Sequence, residues 1–428
     1  MSIIQTTILF LILAVAWKTL PNLFTCSTTA TYGGHVHPDF QEVKDVFGKN
    51  IESGREPGAA FAVYHNGIAL VDLWGGQADP EAKRSWQNNT VTQVWSCTKG
   101  VVAVIMGMLV DRGLLDYAEY VHKYWPEFRR FGKENVTLGM LLSHQAGLIS
   151  LDRQISLLEY RDSWPEVEQL MVKAKPAWPP GTRYSYHAYT YGMFADAVVR
   201  KVDTKHRNIS QFFKEEIAEL FDIDFHVGLP PELHYRVARA SFTPVWELLA
   251  EAFLLRPSRW KWMSELLPGS TIHRSMNVFD IMNDMNVMND PELQSIGVPS
   301  AVGFGTARSL AQLYDYLAHG GIVQGRQLLS KRQVGALSTP VTENIPVIGV
   351  PDAPFAMGTG VDKGIQGQLI FGHRGYGGQN AFADPGYGIG VAYITNFNSR
   401  FSESDDPRAA DLLRVFYKCM QKYSLRSR

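Results

Sequence analysis

Strand-like segments sit at the two ends of this 428-residue chain and are scarce between them. Near the amino end, residues 58–76 read Gly-Ala-Ala-Phe-Ala-Val-Tyr-His, then Asn66-Gly67, then Ile-Ala-Leu-Val-Asp-Leu-Trp-Gly-Gly. Asn-Gly supplies the two left-handed positions of a tight turn, so the flanking apolar runs predict a hairpin. Near the other end, residues 369–396 hold further β-type runs with glycine turns, Gly386 to Gly390 being a turn into a strand. Residues 404–423 carry an acidic start, an early Pro407 and helical periodicity, which predict a closing helix. A sheet has to cover its apolar faces, so strands from both ends meeting in one antiparallel sheet require helices around them. The expected fold class is therefore α/β of the α+β type: an antiparallel sheet built from both chain ends, flanked by helices, with a mostly helical insertion at roughly residues 115–300. A reactive site is expected in the cleft between sheet and insertion.

Ser96-Cys97-Thr98-Lys99 stands at the head of Gly100-Val-Val-Ala-Val-Ile-Met-Gly-Met-Leu-Val-Asp-Arg-Gly113, which reads as a buried helix stopped by glycine. Positions i and i+3 share a helix face, so the serine hydroxyl and the lysine amine are neighbours. The serine N–H belongs to the first turn, where backbone donors are unpaired and negative charge is favoured. A nucleophile, a proton acceptor and an anion donor thus fall within one turn. Ser258-Arg259-Trp260-Lys261 has the same spacing, but its basic, proline-broken surroundings read as a solvated loop. A lysine at the start of a buried helix is costly without a partner or a task, which favours Ser96 and Lys99.

Composition narrows the function classes. Basic and acidic residues number 41 and 42, mixed along the length, so no basic field exists for nucleic acid. Three cysteines, Cys26, Cys97 and Cys419, make no disulfide framework and are read as unpaired thiols. The histidines show no metal-site spacing, and neither a metal nor an organic cofactor is implied. Residues 8–17 are unbroken apolar and Ala14-Val15-Ala16 is a small-x-small site, whereas Lys18 follows the run. Residues 1–30 are accordingly expected to be a signal peptide or a membrane anchor, placing the protein outside the cell or on a membrane. Asn88, Asn135 and Asn208 open glycosylation sequons. Residues 244–267, with Trp246, Trp260 and Trp262, are read as a buried helix, with an apolar lid over an acyl pocket as the alternative.

A second motif is Pro179-Pro180-Gly181-Thr-Arg-Tyr-Ser-Tyr186-His-Ala-Tyr-Thr-Tyr-Gly192, and a third is Gly372-His373-Arg374-Gly375-Tyr376-Gly377-Gly378. With these, the chain resembles the serine β-lactamase and penicillin-binding-protein superfamily, in particular its class C-like esterase branch. In that branch a tyrosine follows a Pro-Gly by five residues and precedes another glycine by six. Tyr186 fits both counts and Tyr184 neither. The likeness also runs through Tyr124–Phe128, Leu141–Leu148 and Gly305–Leu310, covering about residues 40–424 as one hydrolase domain. It implies Ser96, Lys99 and Tyr186 as catalytic residues, the backbone N–H groups of Ser96 and Tyr376 as the oxyanion hole, and His373, Arg374 and Gly375 as a substrate-binding strand. His144, in Leu-Ser-His-Gln-Ala-Gly, reads as a hydrogen-bonded turn residue.

Departures from the family pattern bear on the substrate. Where β-lactamases carry an asparagine two residues after the tyrosine, this chain has Ala188; where they carry Lys-Thr, it has His373-Arg374. A site that loses the partners it was built around loses discrimination steeply. Arg374 would supply a cation, with a geometry unlike lysine's. The expectation is a serine hydrolase of carboxylic esters, or of small amides, acting on a small-molecule acyl substrate through an acyl-enzyme. The alternatives are a catalytically silent, self-assembling scaffold and a D-aminopeptidase. The formal base stays open between Lys99 and Tyr186, as does the oligomeric state.

Overall fold

The computed structural model describes residues 31–243, 264–265, 267–349, 354–399 and 406–426. Residues 1–30, expected to be a signal peptide or anchor and including Cys26, the second Ser-x-x-Lys at Ser258 and nearly all of the Trp-rich stretch lie outside the described residues. Among the described residues no helix is long and apolar enough to cross a membrane.

The sheet joins the two ends of the chain as the hairpin pattern predicts. Its main strands are β1 (Tyr32–Val36), β2 (Gly58–His65), β3 (Ile68–Asp79), β4 (Gly360–Lys363), β5 (Leu369–Gly375), β6 (Gln379–Asp384) and β7 (Ile389–Thr395). They lie in the order β1-β3-β2-β7-β6-β5-β4, with every neighbouring pair antiparallel. β2 and β3 turn at Asn66 and Gly67, both at positive φ (50° and 79°), as a primed two-residue turn requires. The seam between the ends is the β2–β7 ladder, from Ala59 opposite Thr395 to Tyr64 opposite Gly390.

Both faces of the sheet are covered, which is why seven of the eight residues of β2 are buried. Helices α1 (Gln41–Glu52) and α5 (Pro407–Arg426) cover one face, where Phe40 stacks on Phe416 with ring centroids 5.1 Å apart. Helices α2 (Cys97–Asp111) and α4 (Ala307–Ala318) lie on the other side. α2 is buried almost all round, as its unbroken apolar sequence demands, and Gly113 just past its end has φ 70°. Between α2 and α4 the chain forms short helices and turns, among them α3 (Thr190–Val202). In a small sheet with Thr92–Gln93 and Gly303–Gly305, Phe225–Val227 adds a strand to the insertion read as mostly helical. That sheet matters to the site, because Thr92–Gln93 leads directly into Ser96. The two described cysteines, Cys97 and Cys419, are buried and unbridged.

Candidate active site

Ser96 is the residue that starts α2, and the chain reaches it through Trp95, whose φ of +48° is rare for a residue with a side chain. Three contacts hold that bend. Val94 N–H donates to Gly303 O (2.9 Å), Cys97 N–H to Val94 O (3.1 Å), and the Trp95 indole N–H to Asn398 Oδ1 (2.8 Å). One turn into the helix, Lys99 is fully buried. Its Nζ donates to Ser96 Oγ at 3.0 Å and to Ser300 O at 2.9 Å. It also stands 4.8 Å from the centroid of the Tyr186 ring. The three residues that the sequence singles out as catalytic therefore come together.

The spacing between Tyr186 and Gly192 has a physical reason. A Cβ at Gly192 would lie 2.5 Å from the Pro299 carbonyl carbon and 2.6 Å from Ser300 N, so α3 meets this backbone with no side chain between them. Gly192 N–H donates to Ser300 Oγ, which in turn donates to Tyr189 O (2.7 and 2.6 Å). The tyrosine loop is thereby tied to the peptide whose carbonyl receives Lys99. Ser275 fastens the loop from the other side, donating to Tyr186 O and accepting from Ala188 N–H, both at 2.7 Å. Ser300 and Ser275 were missed from sequence. Single serines in irregular segments carry no periodic signal, and only tertiary folding gives them their roles.

Three histidines surround the pair. His144 and His373 face the Tyr186 ring at centroid distances of 5.0 and 6.1 Å, and Phe355 stacks beside it at 6.3 Å. His144 has φ 64° and accepts the His187 N–H on Nδ1 (3.1 Å), so it is the hydrogen-bonded turn residue that its motif suggests. Burial, reinforced by the charge of Lys99, pushes the His373 pKa down to about 3. Burial likewise lowers His187 to about 4 and His144 well below its ordinary value. All three imidazoles are neutral near pH 7, so the ring of groups around Lys99 adds no positive charge.

On β5, side chains alternate. His373 turns toward Lys99 and Tyr186, and its Nδ1 lies 2.6 Å from Arg374 O. The Arg374 guanidinium is paired with Asp362 on β4. Gly375 closes β5. A Cβ there would sit 2.3 Å from Val94 O, so this glycine lets the end of β5 approach the Ser96 segment. Cys97 Sγ donates to His373 O (3.1 Å) and fastens the same junction. Just beyond, the Tyr376 ring meets Trp95 edge-on at 5.6 Å, which brings the turn after β5 against the residue preceding Ser96.

Among the described residues no cluster of three or more His, Cys, Asp or Glu is arranged to hold a metal. A groove of about 740 Å³ opens at the far end of α2 between Val110, Tyr117, Met140, Gln333 and Met357, and Ser96, Lys99 and Tyr186 are not among its walls.

The family model described as Beta-lactamase matches residues 43–414. Esterase/beta-lactamase LipL of Mycobacterium tuberculosis is 32% identical over 377 residues, covering 85% of this chain and 82% of that protein. A family VIII carboxylesterase of known structure superimposes with a TM-score of 0.75 at 31% identity, covering 91% of this chain and all of its own. EstA from Arthrobacter nitroguajacolicus Rue61a does so with a TM-score of 0.74 at 27% identity, covering 91% and 99%.

Proposed function

The chain belongs to the beta-lactamase family and is a serine hydrolase, and from that premise we propose that it cleaves carboxylic esters through an acyl-enzyme on Ser96. The observation that carries the reading is the buried Lys99 amine, 3.0 Å from Ser96 Oγ with the Tyr186 ring beside it. Ser96 Oγ attacks the ester carbonyl while its proton passes into the Lys99–Tyr186 pair. The tetrahedral oxyanion is received by the N–H groups of Ser96 and Tyr376. As it collapses, the alkoxide takes the proton from Tyr186 and leaves as the alcohol. Water, giving its proton to the same pair, then attacks the acyl-enzyme; the acid departs and Ser96 is restored.

Esters are favoured over β-lactams because the groups that would hold a lactam amide and carboxylate are replaced. Ala188 has no side-chain donor, His373 is neutral, and Arg374 is engaged by Asp362. The relatives named esterases and carboxylesterase support the same substrate class. The test is the initial rate on p-nitrophenyl acetate and butyrate and on a chromogenic cephalosporin, for the wild type, Ser96→Ala and Tyr186→Phe. Ester turnover is expected to fall by on the order of 10³-fold or more in Ser96→Ala and 10²- to 10⁴-fold in Tyr186→Phe. Folded wild type that turns over no ester would overturn the reading in favour of a silent scaffold.

A further inference from the structure

Both oxyanion donors proposed above adjoin residues that rest on one buried asparagine. Trp95, directly before Ser96, donates its indole N–H to Asn398 Oδ1 at 2.8 Å. Gly377, directly after Tyr376, has φ 84° and lies flat against the same residue; a Cβ there would stand 2.3 Å from Asn398 Oδ1 and 2.5 Å from its Cα. The far side of Asn398 is fixed as well. Its Nδ2 donates to Ser241 O (3.2 Å), its carbonyl receives Thr243 N–H (3.2 Å), and Phe397–Asn398 pairs in parallel with Ser241–Phe242.

Behind it stands Arg408, near the start of α5. Arg408 Nη2 and Ser399 N–H both donate to Gly377 O, each at 3.2 Å. The guanidinium is held by Asp406 (2.6 Å) and Glu56 (3.2 Å), and Asp406 also receives the Ser399 hydroxyl (2.8 Å). The ions are almost fully enclosed and mutually paired, as a buried charge cluster has to be.

We infer that Asn398, backed by Arg408, is a positioning residue that sets the separation of the Ser96 and Tyr376 amides, and so the fit of the site to a tetrahedral oxyanion. The inference rests on the acyl-enzyme reading. Two donors from separate segments stabilise one oxygen only while their spacing is fixed, and a shift of about 1 Å is enough to cost on the order of 10²-fold in rate. The segment after β7 contacts the residue next to each donor, so it couples the two.

Asn398→Leu removes the acceptor at similar volume, and Trp95→Phe removes the indole donor and keeps a smaller aromatic ring against Tyr376. The experiment measures kcat and KM on p-nitrophenyl butyrate, the Ki of an alkylboronic acid that forms a tetrahedral adduct on serine, and the melting temperature, for both single variants and the double variant. Expected are a kcat lower by on the order of 10- to 100-fold, KM within about two-fold, a boronate Ki weakened in proportion to kcat, and a double variant no worse than the more impaired single one. Variants that melt normally yet keep wild-type kcat and Ki overturn the inference, as do losses confined to KM or additive losses. If Asn398→Leu does not fold, Trp95→Phe decides by the same readings. Wild type that neither hydrolyses esters nor binds the boronate removes the acyl-enzyme reading and this inference with it. An active wild type with unaffected variants removes this inference alone.

Discussion

Lys99 Nζ bridges Ser96 Oγ and the Ser300 carbonyl, at 3.0 and 2.9 Å, so the amine beside the nucleophile is aimed by a backbone group two hundred residues away. Lys99→Met keeps the apolar stem and removes the amine. The expected loss in kcat is on the order of 10²- to 10⁴-fold. Stability is expected not to fall, because removing a buried amine offsets one unpaired carbonyl. Ester kinetics and a thermal melt check both halves. A large drop in melting temperature with kcat intact would make Lys99 structural.

Gly192→Ala tests the path from α3 to that carbonyl. The added methyl would overlap the Pro299–Ser300 backbone, which cannot yield as a flexible side chain does. A cost of about 1–3 kcal/mol in stability is expected. kcat measured well below the melting temperature is expected to fall too, since Ser300 O moves away from Lys99. Lost stability with an unchanged kcat would show that Ser300 does not aim the lysine.

The fold was largely legible because its signals are local. The Asn66-Gly67 turn, the strand runs of residues 369–396, the apolar α2 and the acidic, proline-led start of α5 each announce themselves within a few residues. β1 did not, since Tyr32-Gly-Gly-His-Val36 holds two glycines and becomes a strand only by pairing with β3. At the site, motif spacing marked Ser96, Lys99 and Tyr186. The supports, Ser275, Ser300 and Asn398, come from segments far away in sequence. Nothing in the motif around Arg374 reveals that Asp362 lies on the next strand.

Arg374→Gln tests what the pair with Asp362 leaves for substrate. With the guanidinium engaged by Asp362, its removal is expected to leave KM for a neutral ester within about two-fold. Stability is expected to change by no more than about 1 kcal/mol, since the pair is partly exposed. A KM that rises ten-fold would return Arg374 to the substrate.

The histidines predict an acid limit to stability. His187 and His373 have folded pKa values lowered to about 4 and about 3, against an ordinary 6.5. Below pH 6.5 the unfolded chain binds protons that the folded one refuses, so stability is intact above that pH and declines as pH falls through the 6.5-to-3 window. Each group contributes a slope of up to about 1.4 kcal/mol per pH unit. Urea melts of wild type and His187→Asn between pH 7 and pH 4 measure it, and the variant is expected to show the shallower decline. Parallel curves would mean that His187 is free to protonate in the folded state.

Intact-mass analysis after exposure to an activated fluorophosphonate tests the proposal that Ser96 is a nucleophile activated by its buried neighbours. Expected is a single phosphonyl adduct on the wild type, located at Ser96 by peptide mapping and absent from Ser96→Ala. A folded wild type that gains no mass, or a Ser96→Ala variant that gains the same adduct, would contradict it.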